Sequence, residues 1–169
     1  MNEVICFIRG FDHADLAVIL AALIAAAVAV EGYRRQQREQ RRVERSKIYA
    51  DALSAVEDYI EAPYRVIRRE RGPDARERLT NHINDVQSRL AYHQALLNIS
   101  ASPQVADAYR GYVAAARAEA GRDISRAWKA KPIRQDHKIP LGTALRRNRC
   151  DAARGRIEAA MRKDVGPRK

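Results

Sequence analysis

The most distinctive pattern along the chain is an uninterrupted apolar run near its beginning. Residues 16–30 read LAVILAALIAAAVAV and contain no charged side chain. At ~1.5 Å per helical residue the run covers about 22 Å, less than the ~30 Å hydrocarbon core of a bilayer. With both flanks included, the stretch from Phe11 to Tyr33 would cover about 34 Å, which is enough. The pattern predicts one transmembrane helix, to which we assign residues 14–33.

Three other interpretations of this run remain as alternatives. A cleaved signal peptide would carry a basic region ahead of the run, whereas residues 1–15 hold one arginine and three acids. A buried core helix can be this short, but the chain has few other large apolar residues to surround one. An interfacial helix needs a polar face, which residues 16–30 lack. A membrane span is therefore favoured.

A basic segment follows the apolar run. Residues 33–47 hold seven basic and two acidic side chains, and the more basic flank of a span faces the cytoplasm. We therefore expect residues 1–13 to form a short extracytoplasmic N-terminus and residues 34–47 a juxtamembrane stalk that contacts anionic headgroups. Aromatic and long basic side chains at the two ends of a span lie at the membrane interface. The candidate interface residues are Phe11, Tyr33, Arg34, Arg35, Arg38, Arg41 and Arg42.

Small residues recur every four positions within the predicted span. This spacing places them on one side of a helix, where they permit close approach of a second helix in the membrane. The candidate contact residues are Ala17, Ala21, Ala25 and Ala29, and Ala22 with Ala26 forms a competing pair. Self-association through this face is an open alternative to a monomer.

Beyond the basic segment the apolar residues keep helical spacing, without the alternation typical of strands. The first helix is expected to continue from the span, with Pro63 kinking or ending it near Ala62. The second carries a heptad-like stripe formed by Leu79, Ile83, Val86, Leu90, His93 and Leu97. The third has its apolar stripe at Val105, Tyr109, Tyr112, Ala116 and Ile124.

Capping signals predict where the later helices begin. Asp74, with Glu77 three residues on, matches a capping box, and Ser102 before Pro103 matches an N-cap followed by a proline at the first helical position. After a proline-containing linker, a fourth helix is expected over residues 143–163. The fold class is therefore all-α: an N-terminal transmembrane helix followed by a small antiparallel bundle of about four helices. We assign this cytoplasmic bundle to residues 48–163 and a flexible tail to residues 164–169.

Composition narrows the range of partners. The 169 residues carry a net charge of +11, which favours contact with anionic lipid, nucleic acid or an acidic protein surface. Cys6 and Cys150 lie far apart in the sequence. On the predicted topology they face opposite sides of the membrane, so they cannot pair. No disulfide framework or zinc site is therefore expected.

Motifs for catalysis are missing from the sequence. It contains no GxxxxGK[ST], GxGxxG, GxSxG, HExxH or ExxH, so we expect no enzymatic activity, catalytic site, cofactor or metal. His82 is interpreted as an exposed histidine, and His93 as a partly buried, hydrogen-bonded one. We interpret three acids of the first helix as solvated side chains: Glu57, Asp58 and Glu61. Arg65 is the expected partner of Glu61.

A second basic group lies near the C-terminus and has few acids nearby. Its members are Arg146, Arg147, Arg149, Arg154 and Arg156. They could contact nucleic acid phosphates, a membrane or another anionic partner, or form a solvated face. No nucleic-acid-binding motif or interleaved aromatic residue accompanies them. Nucleic acid is therefore a disfavoured partner that remains open.

The order of these features resembles a known group of proteins. The chain has an apolar span and an arginine-rich stalk, followed by the stretches KIYADALSAVEDYI and LLNISASPQVADAYRGYVAAAR. In this order the features resemble those of small single-span membrane proteins of actinobacteria and their phages. The resemblance covers about residues 14–128 and implies a membrane-tethered helical domain with no active site. In a phage or prophage it would imply a role at the host membrane, such as interference with superinfection.

Three hypotheses about function follow from the sequence. The first is a non-enzymatic membrane-anchored protein that acts by binding another protein or itself, with its helical part in the cytoplasm. The second is a membrane-tethered nucleic-acid-binding protein that uses the C-terminal arginines. The third is an inner-membrane component of a phage lysis apparatus, with the helical part outside the cytoplasm.

Overall fold

The computed structural model describes residues 13–133 and 147–166, and within this part the fold is all-helical, as predicted. No β-strand occurs among these residues. The four helices are α1 (His13–Ile67), α2 (Pro73–Ser100), α3 (Pro103–Lys129) and α4 (Asn148–Val165). The chain divides into two compact units, and the boundary between them falls inside α1. These are the N-terminal unit, Met1–Glu44, and the C-terminal unit, Arg45–Lys169.

In the C-terminal unit, hydrogen bonds and ion pairs between helices give the direction of each one. Arg147, which directly precedes α4, contacts Glu61 of α1 at 2.6 Å. At the other end of α4, Asp164 accepts a hydrogen bond from Tyr49 of α1. The helices α1 and α4 therefore run in opposite directions. The loop between α2 and α3 is only two residues long, and α3 packs against both α2 and α4.

The core of this unit forms where the apolar stripes of the four helices meet. The largest fully buried side chains include Tyr109 and Tyr112 of α3 and Ile157 of α4. In α2 the predicted stripe is the buried side of the helix, with Leu79 half-buried at its edge and the other five positions buried. Helical periodicity alone was therefore enough to identify the face of α2 that enters the core.

Two details of the predicted helix boundaries change. Pro63 does not end helix α1 near Ala62, because the helix continues to Ile67 with Pro63 inside it and fully buried; the predicted alternative, a kink at Pro63, stays a prediction. Packing of the proline ring against the core offsets the loss of one backbone hydrogen bond. Helix α2 begins at Pro73 after Gly72, which makes no side-chain cap, so Asp74 is a first-turn residue instead of the cap.

The other boundaries are closer to expectation. Helix α3 begins at Pro103 with Ser102 at the N-cap position, as predicted, but the Ser102 side chain makes no cap hydrogen bond. Helix α4 extends to Val165, two residues further than expected, because Asp164 is held by Tyr49. Helix α4 begins at Asn148, after the non-helical N-cap residue Arg147, so the predicted start at residue 143 is wrong. Positions 143–146, positions 1–12 of the predicted N-terminus and positions 167–169 of the predicted tail lie outside the described residues.

Candidate membrane-anchoring segment and basic surfaces

The apolar run of α1 is exposed along its whole described length. Every side chain over residues 17–30 is solvent-accessible, and the large ones include Val18 and Val28, each 68% exposed. Among the described residues, α1 is the one helix long and apolar enough to cross a membrane. A contiguous apolar surface of this kind is unusual on a protein surrounded by water and marks a membrane or partner contact.

Polar contacts begin where the apolar run ends. The Glu31 carboxylate accepts a hydrogen bond from Arg35 Nε at 2.9 Å, one helical turn on. The phenolic oxygen of Tyr33 accepts a hydrogen bond from Gln37 Nε2 at 2.7 Å. Of the predicted interface residues, Tyr33 and the arginines at 34, 35, 38 and 41 are exposed, and Arg42 is half-buried. Phe11 lies outside the described residues.

The alanines at every fourth position of the span are all exposed. Ala17, Ala21, Ala25 and Ala29 therefore lie on an accessible surface of α1. Every neighbouring position over residues 17–30 is equally exposed, so the structure does not distinguish this face from any other. Self-association through the alanines stays a prediction.

The structure separates the C-terminal arginines into two groups. Arg147 contacts Glu61 at 2.6 Å and lies over the ring of Tyr64. Arg154 contacts Glu57 at 3.1 Å and Glu158 at 2.8 Å. Arg149 and Arg156 are exposed, and Arg146 lies outside the described residues. Two of the five predicted anion contacts are thus engaged in ion pairs within the chain.

Glu57 and Asp58 of α1 are half-buried instead of solvated, whereas Glu61 is exposed as the sequence suggested. Glu57 accepts a hydrogen bond from Tyr112 and forms an ion pair with Arg154. Asp58 pairs with Arg89 of α2 at 2.7 Å. Glu61 pairs with Arg147 instead of Arg65. These acids face other helices because α2, α3 and α4 pack around the C-terminal part of α1.

A buried acid, Glu119 of α3, went unnoticed in the sequence. Its side chain is 6% exposed and accepts hydrogen bonds from the backbone N–H groups of Arg149 and Cys150, both at 3.1 Å. These N–H groups belong to the start of α4, where helical N–H groups have no partner within the helix. Burial raises the pKa of Glu119, but the hydrogen bonds from Cys150 and Arg149 outweigh it and lower the pKa overall. The feature of the sequence that could have identified Glu119 is its position as an acid on the apolar stripe of α3.

Cys150 is expected to be inert in the folded protein. Its side chain is 2% exposed, and burial together with the neighbouring Glu119 raises the pKa of the thiol to about 12. Because the thiolate is the reactive form, the Cys6→Ser variant should react with maleimide at pH 8 at least about 100-fold more slowly than an exposed cysteine. Mass spectrometry with and without 8 M urea measures this, and rapid labelling without urea would contradict the burial of Cys150.

The C-terminal unit should lose stability in acid. Burial raises the pKa of Asp164, but hydrogen bonds from Tyr49 and Ser102 and the charge of Arg45 outweigh it and lower the pKa. A carboxyl whose pKa is lowered on folding stabilises the protein above its unfolded-state pKa and loses this contribution as the pH falls. The unfolded-state values are 3.8 for Asp164 and 4.5 for Glu119. The urea midpoint should therefore be steady above about pH 5.5 and fall below about pH 4.5.

Urea titrations from pH 3 to pH 7, followed by Trp128 fluorescence, measure this dependence. Trp128 is the only tryptophan in the chain, so the signal reports on the C-terminal unit. The Asp164→Asn variant should show a smaller fall between pH 5 and pH 3 than the unaltered protein. An equal fall in both proteins would show that Asp164 contributes nothing to the acid sensitivity.

Neither of the two histidines with a predicted environment, His82 and His93, matches that prediction fully. His82 is half-buried, not exposed, and its Nε2 atom is buried without a hydrogen-bond partner. His93 is buried as expected, but its Nδ1 atom has no partner, and burial lowers its pKa. No group of three metal-ligating side chains comes together among the described residues.

Comparisons with protein-family models, curated proteins and solved structures found no match. The resemblance to single-span membrane proteins of actinobacteria and their phages therefore stays a prediction. The features of the chain itself that bear on function are the exposed apolar segment, the charged surfaces and the buried polar contacts.

Proposed function

We propose that the protein is a non-enzymatic, membrane-anchored interaction protein. Residues 14–33 form its single transmembrane helix, and residues 48–163 form an antiparallel bundle of four helices in the cytoplasm. The observation that carries the proposal is the exposure of every described side chain in the apolar run, residues 17–30. Such a surface is stable in lipid and unfavourable in water.

The energetics of insertion favour anchoring by a modest margin. The eight leucine, isoleucine and valine side chains of residues 16–30 contribute roughly −2.5 to −5 kcal/mol on an insertion scale, and alanine adds little. The flanking Tyr33 and basic residues add contacts with the headgroups. A margin of this size makes anchoring sensitive to a single charged substitution within the run.

The interaction role rests on the surface charge. The juxtamembrane arginines at positions 34, 35, 38 and 41 are exposed, and Arg35 pairs with Glu31 on its own helix. At a cytoplasmic leaflet such residues gain about 1 kcal/mol each from anionic lipid. We propose lipid and a second protein, or another copy of this chain, as the partners. By its resemblance to actinobacterial and phage proteins, the chain would act at a host membrane, for example in interference with superinfection.

A reporter that is active only in the cytoplasm, fused after Lys169, tests the orientation. The proposal expects an active reporter that sediments with the membranes. An inactive reporter on a membrane-bound protein would support the lysis-component hypothesis, which places the helical part outside. Cleavage of a signal peptide would be supported if the reporter were found in the soluble fraction and its chain had lost residues 1–29.

A nucleic-acid-binding function is the second candidate, favoured by the exposure of Arg149 and Arg156 on α4. Spaced seven residues apart, they lie on one side of that helix. If they bind phosphates, the affinity for duplex DNA or RNA should fall steeply between 50 mM and 200 mM salt. In the Arg149→Gln, Arg156→Gln double variant, the slope of log affinity against log salt concentration should be smaller in magnitude by about 2. Absence of binding at 50 mM salt would eliminate this candidate.

A further inference from the structure

The outer face of α2 carries apolar side chains near the C-terminal end of the helix. Tyr92 and Ile99 are 62% and 86% exposed, and they are the two large apolar side chains that are exposed in the described part of the C-terminal unit. Ala95 between them is exposed, and Leu96 is half-buried. Their spacing of three, four and seven residues places all four on one side of the helix, away from the stripe that enters the core. We call these four residues the outer patch.

The sequence around the outer patch carries no formal charge. Residues 90–106 contain no Asp, Glu, Lys or Arg, although these four residue types make up 31% of the chain. This stretch is longer than the apolar run at residues 16–30. Its exposed polar side chains, Asn98, Ser100 and Gln104, are all neutral. Exposed apolar groups in surroundings without charge are typical of a surface that leaves water for a membrane or a partner.

The outer patch ends at the same end of the C-terminal unit as Arg45, the first residue of this unit. Near the end of α4, Asp164 accepts hydrogen bonds from Tyr49 of α1 and from Ser102. Ser102 lies three residues past Ile99 in the sequence. Arg45 lies 3.7 Å from the same Asp164 carboxylate. The loop after α2 and the connection to the predicted span are therefore at one end of the unit.

Basic side chains are exposed at this end of the unit. Arg45 and Lys47 are at its beginning, and Arg162 and Lys163 belong to the last turn of α4, next to Asp164. A second copy of this chain, which has a net charge of +11, would bring like charges together here. A bilayer with anionic headgroups accommodates both the apolar and the basic side chains. Charge complementarity therefore favours lipid as the occupant of this surface.

The connection to the predicted span is short. Tyr33, at the predicted membrane interface, and Arg45 are twelve positions apart, a rise of about 18 Å in a helix. Contact between the outer patch and the headgroups requires α1 to bend at or after the end of the apolar run. Gly32 is at this position, and glycine weakens a helix interior. With so short a tether, a weak affinity for lipid is enough to hold the unit on the membrane surface.

We propose that the outer patch and the adjoining basic side chains dock the C-terminal unit onto the anionic surface of the bilayer that holds the span. Ile99 enters the boundary between headgroups and acyl chains, and Tyr92 lies at the level of the headgroups. Arg45, Lys47 and Lys163 contact the phosphate oxygens of the lipids. This inference rests on the proposed membrane anchoring and adds a second lipid contact, made by the folded unit itself.

Quenching by nitroxide-labelled lipids tests the docking with the full chain in nanodiscs. A fluorophore is attached through maleimide to Ser100→Cys in the Cys6→Ser background, where the buried Cys150 does not react. Ser100 is exposed and directly follows Ile99. In discs that contain phosphatidylglycerol, we expect a nitroxide at the headgroup level to quench this fluorophore. Quenching should be weaker in discs of phosphatidylcholine alone, because the basic side chains then lack anionic partners.

Two comparisons show whether the quenching comes from docking through the outer patch. A fluorophore at Thr80→Cys, an exposed position of α2 about 30 Å from Ser100 along the helix, should be quenched little. Ile99→Ser should lower the ratio of docked to undocked chains about tenfold, because it removes most of the apolar contact. Ala118→Ser, on the exposed side of α3, is the matched control and should leave this ratio unchanged. Trp128 fluorescence establishes that each variant is folded.

Equal quenching at positions 80 and 100, or equal quenching in Ile99→Ser and Ala118→Ser, would overturn the docking proposal. The absence of quenching at position 100 in chains that remain with the discs would also overturn it, and would leave the anchoring proposal intact. Shielding of the fluorophore from aqueous iodide without quenching by lipid would assign the outer patch to a protein partner, against the proposal. Loss of the chain from the discs would overturn the anchoring proposal and this inference together.

Discussion

Replacing Glu119 with alanine is expected to lower the urea midpoint of the C-terminal unit by roughly 1 to 3 M. The substitution leaves the backbone N–H groups of Arg149 and Cys150 without their acceptor at the start of α4. Each unpaired buried donor costs about 1–3 kcal/mol, so the combined loss for the two donors is about 2–6 kcal/mol. Domains of this size are stable by only about 5–15 kcal/mol. Trp128 fluorescence in urea, with the full chain in detergent, measures the change.

Two controls separate this hydrogen-bonding role from a general effect of charge. Glu119→Gln keeps a carbonyl acceptor and the side-chain volume but removes the charge. Its loss of stability is therefore expected to lie between zero and the loss caused by Glu119→Ala. Asp107→Ala removes an acid from the exposed side of the same helix, where it pairs with Arg110. This variant should differ from the unaltered protein by less than about 1 kcal/mol. If Asp107→Ala and Glu119→Ala were equally stable, the buried contact would have no special importance.

Replacing Leu23 with arginine is expected to remove most of the membrane-bound fraction. Leu23 is at the centre of the apolar run and is 63% exposed. An arginine at the middle of a span costs about 2.5–3.5 kcal/mol, and the leucine lost contributed up to about 0.6 kcal/mol more. The whole run is worth roughly 2.5–5 kcal/mol, so one substitution removes most of the margin. Sedimentation of cell membranes followed by immunoblotting measures the bound fraction.

Gln40→Arg is the matched control for this experiment. Gln40 is exposed in the basic segment, so the variant adds the same charge outside the apolar run. It should stay in the membrane fraction and bind at least as well as the unaltered protein, because basic residues beside the span favour the anionic leaflet. Retention of Leu23→Arg in the membrane at the level of Gln40→Arg would indicate that the run is not the anchor.

Local periodicity was sufficient to predict the helices and most of the faces that form the core. In α2 the spacing from Ile83 to Leu97 specified the buried side, because helical geometry maps this spacing onto one stripe. The beginning of α3 at Ser102 and Pro103 was also readable, since capping is decided by adjacent residues. Both features depend on neighbours in sequence and need no knowledge of tertiary packing.

Contacts between helices were beyond sequence reasoning. Glu119 and its partner Cys150 are separated by a linker and lie 31 positions apart, so no local rule connects them. The acids of α1 were interpreted as solvated because their partners, Arg89, Arg147 and Arg154, belong to other helices.

Labelling of Cys6 tests the central claim, a single span with the N-terminus outside, most directly. The chain has two cysteines, and burial makes Cys150 inert in the folded protein. Cys6 alone should therefore react with a membrane-impermeant maleimide. We predict labelling in right-side-out membrane vesicles, none in sealed inside-out vesicles, and complete loss of label in the Cys6→Ser variant. Labelling confined to inside-out vesicles, or recovery of the labelled chain in the soluble fraction, would contradict the proposed topology.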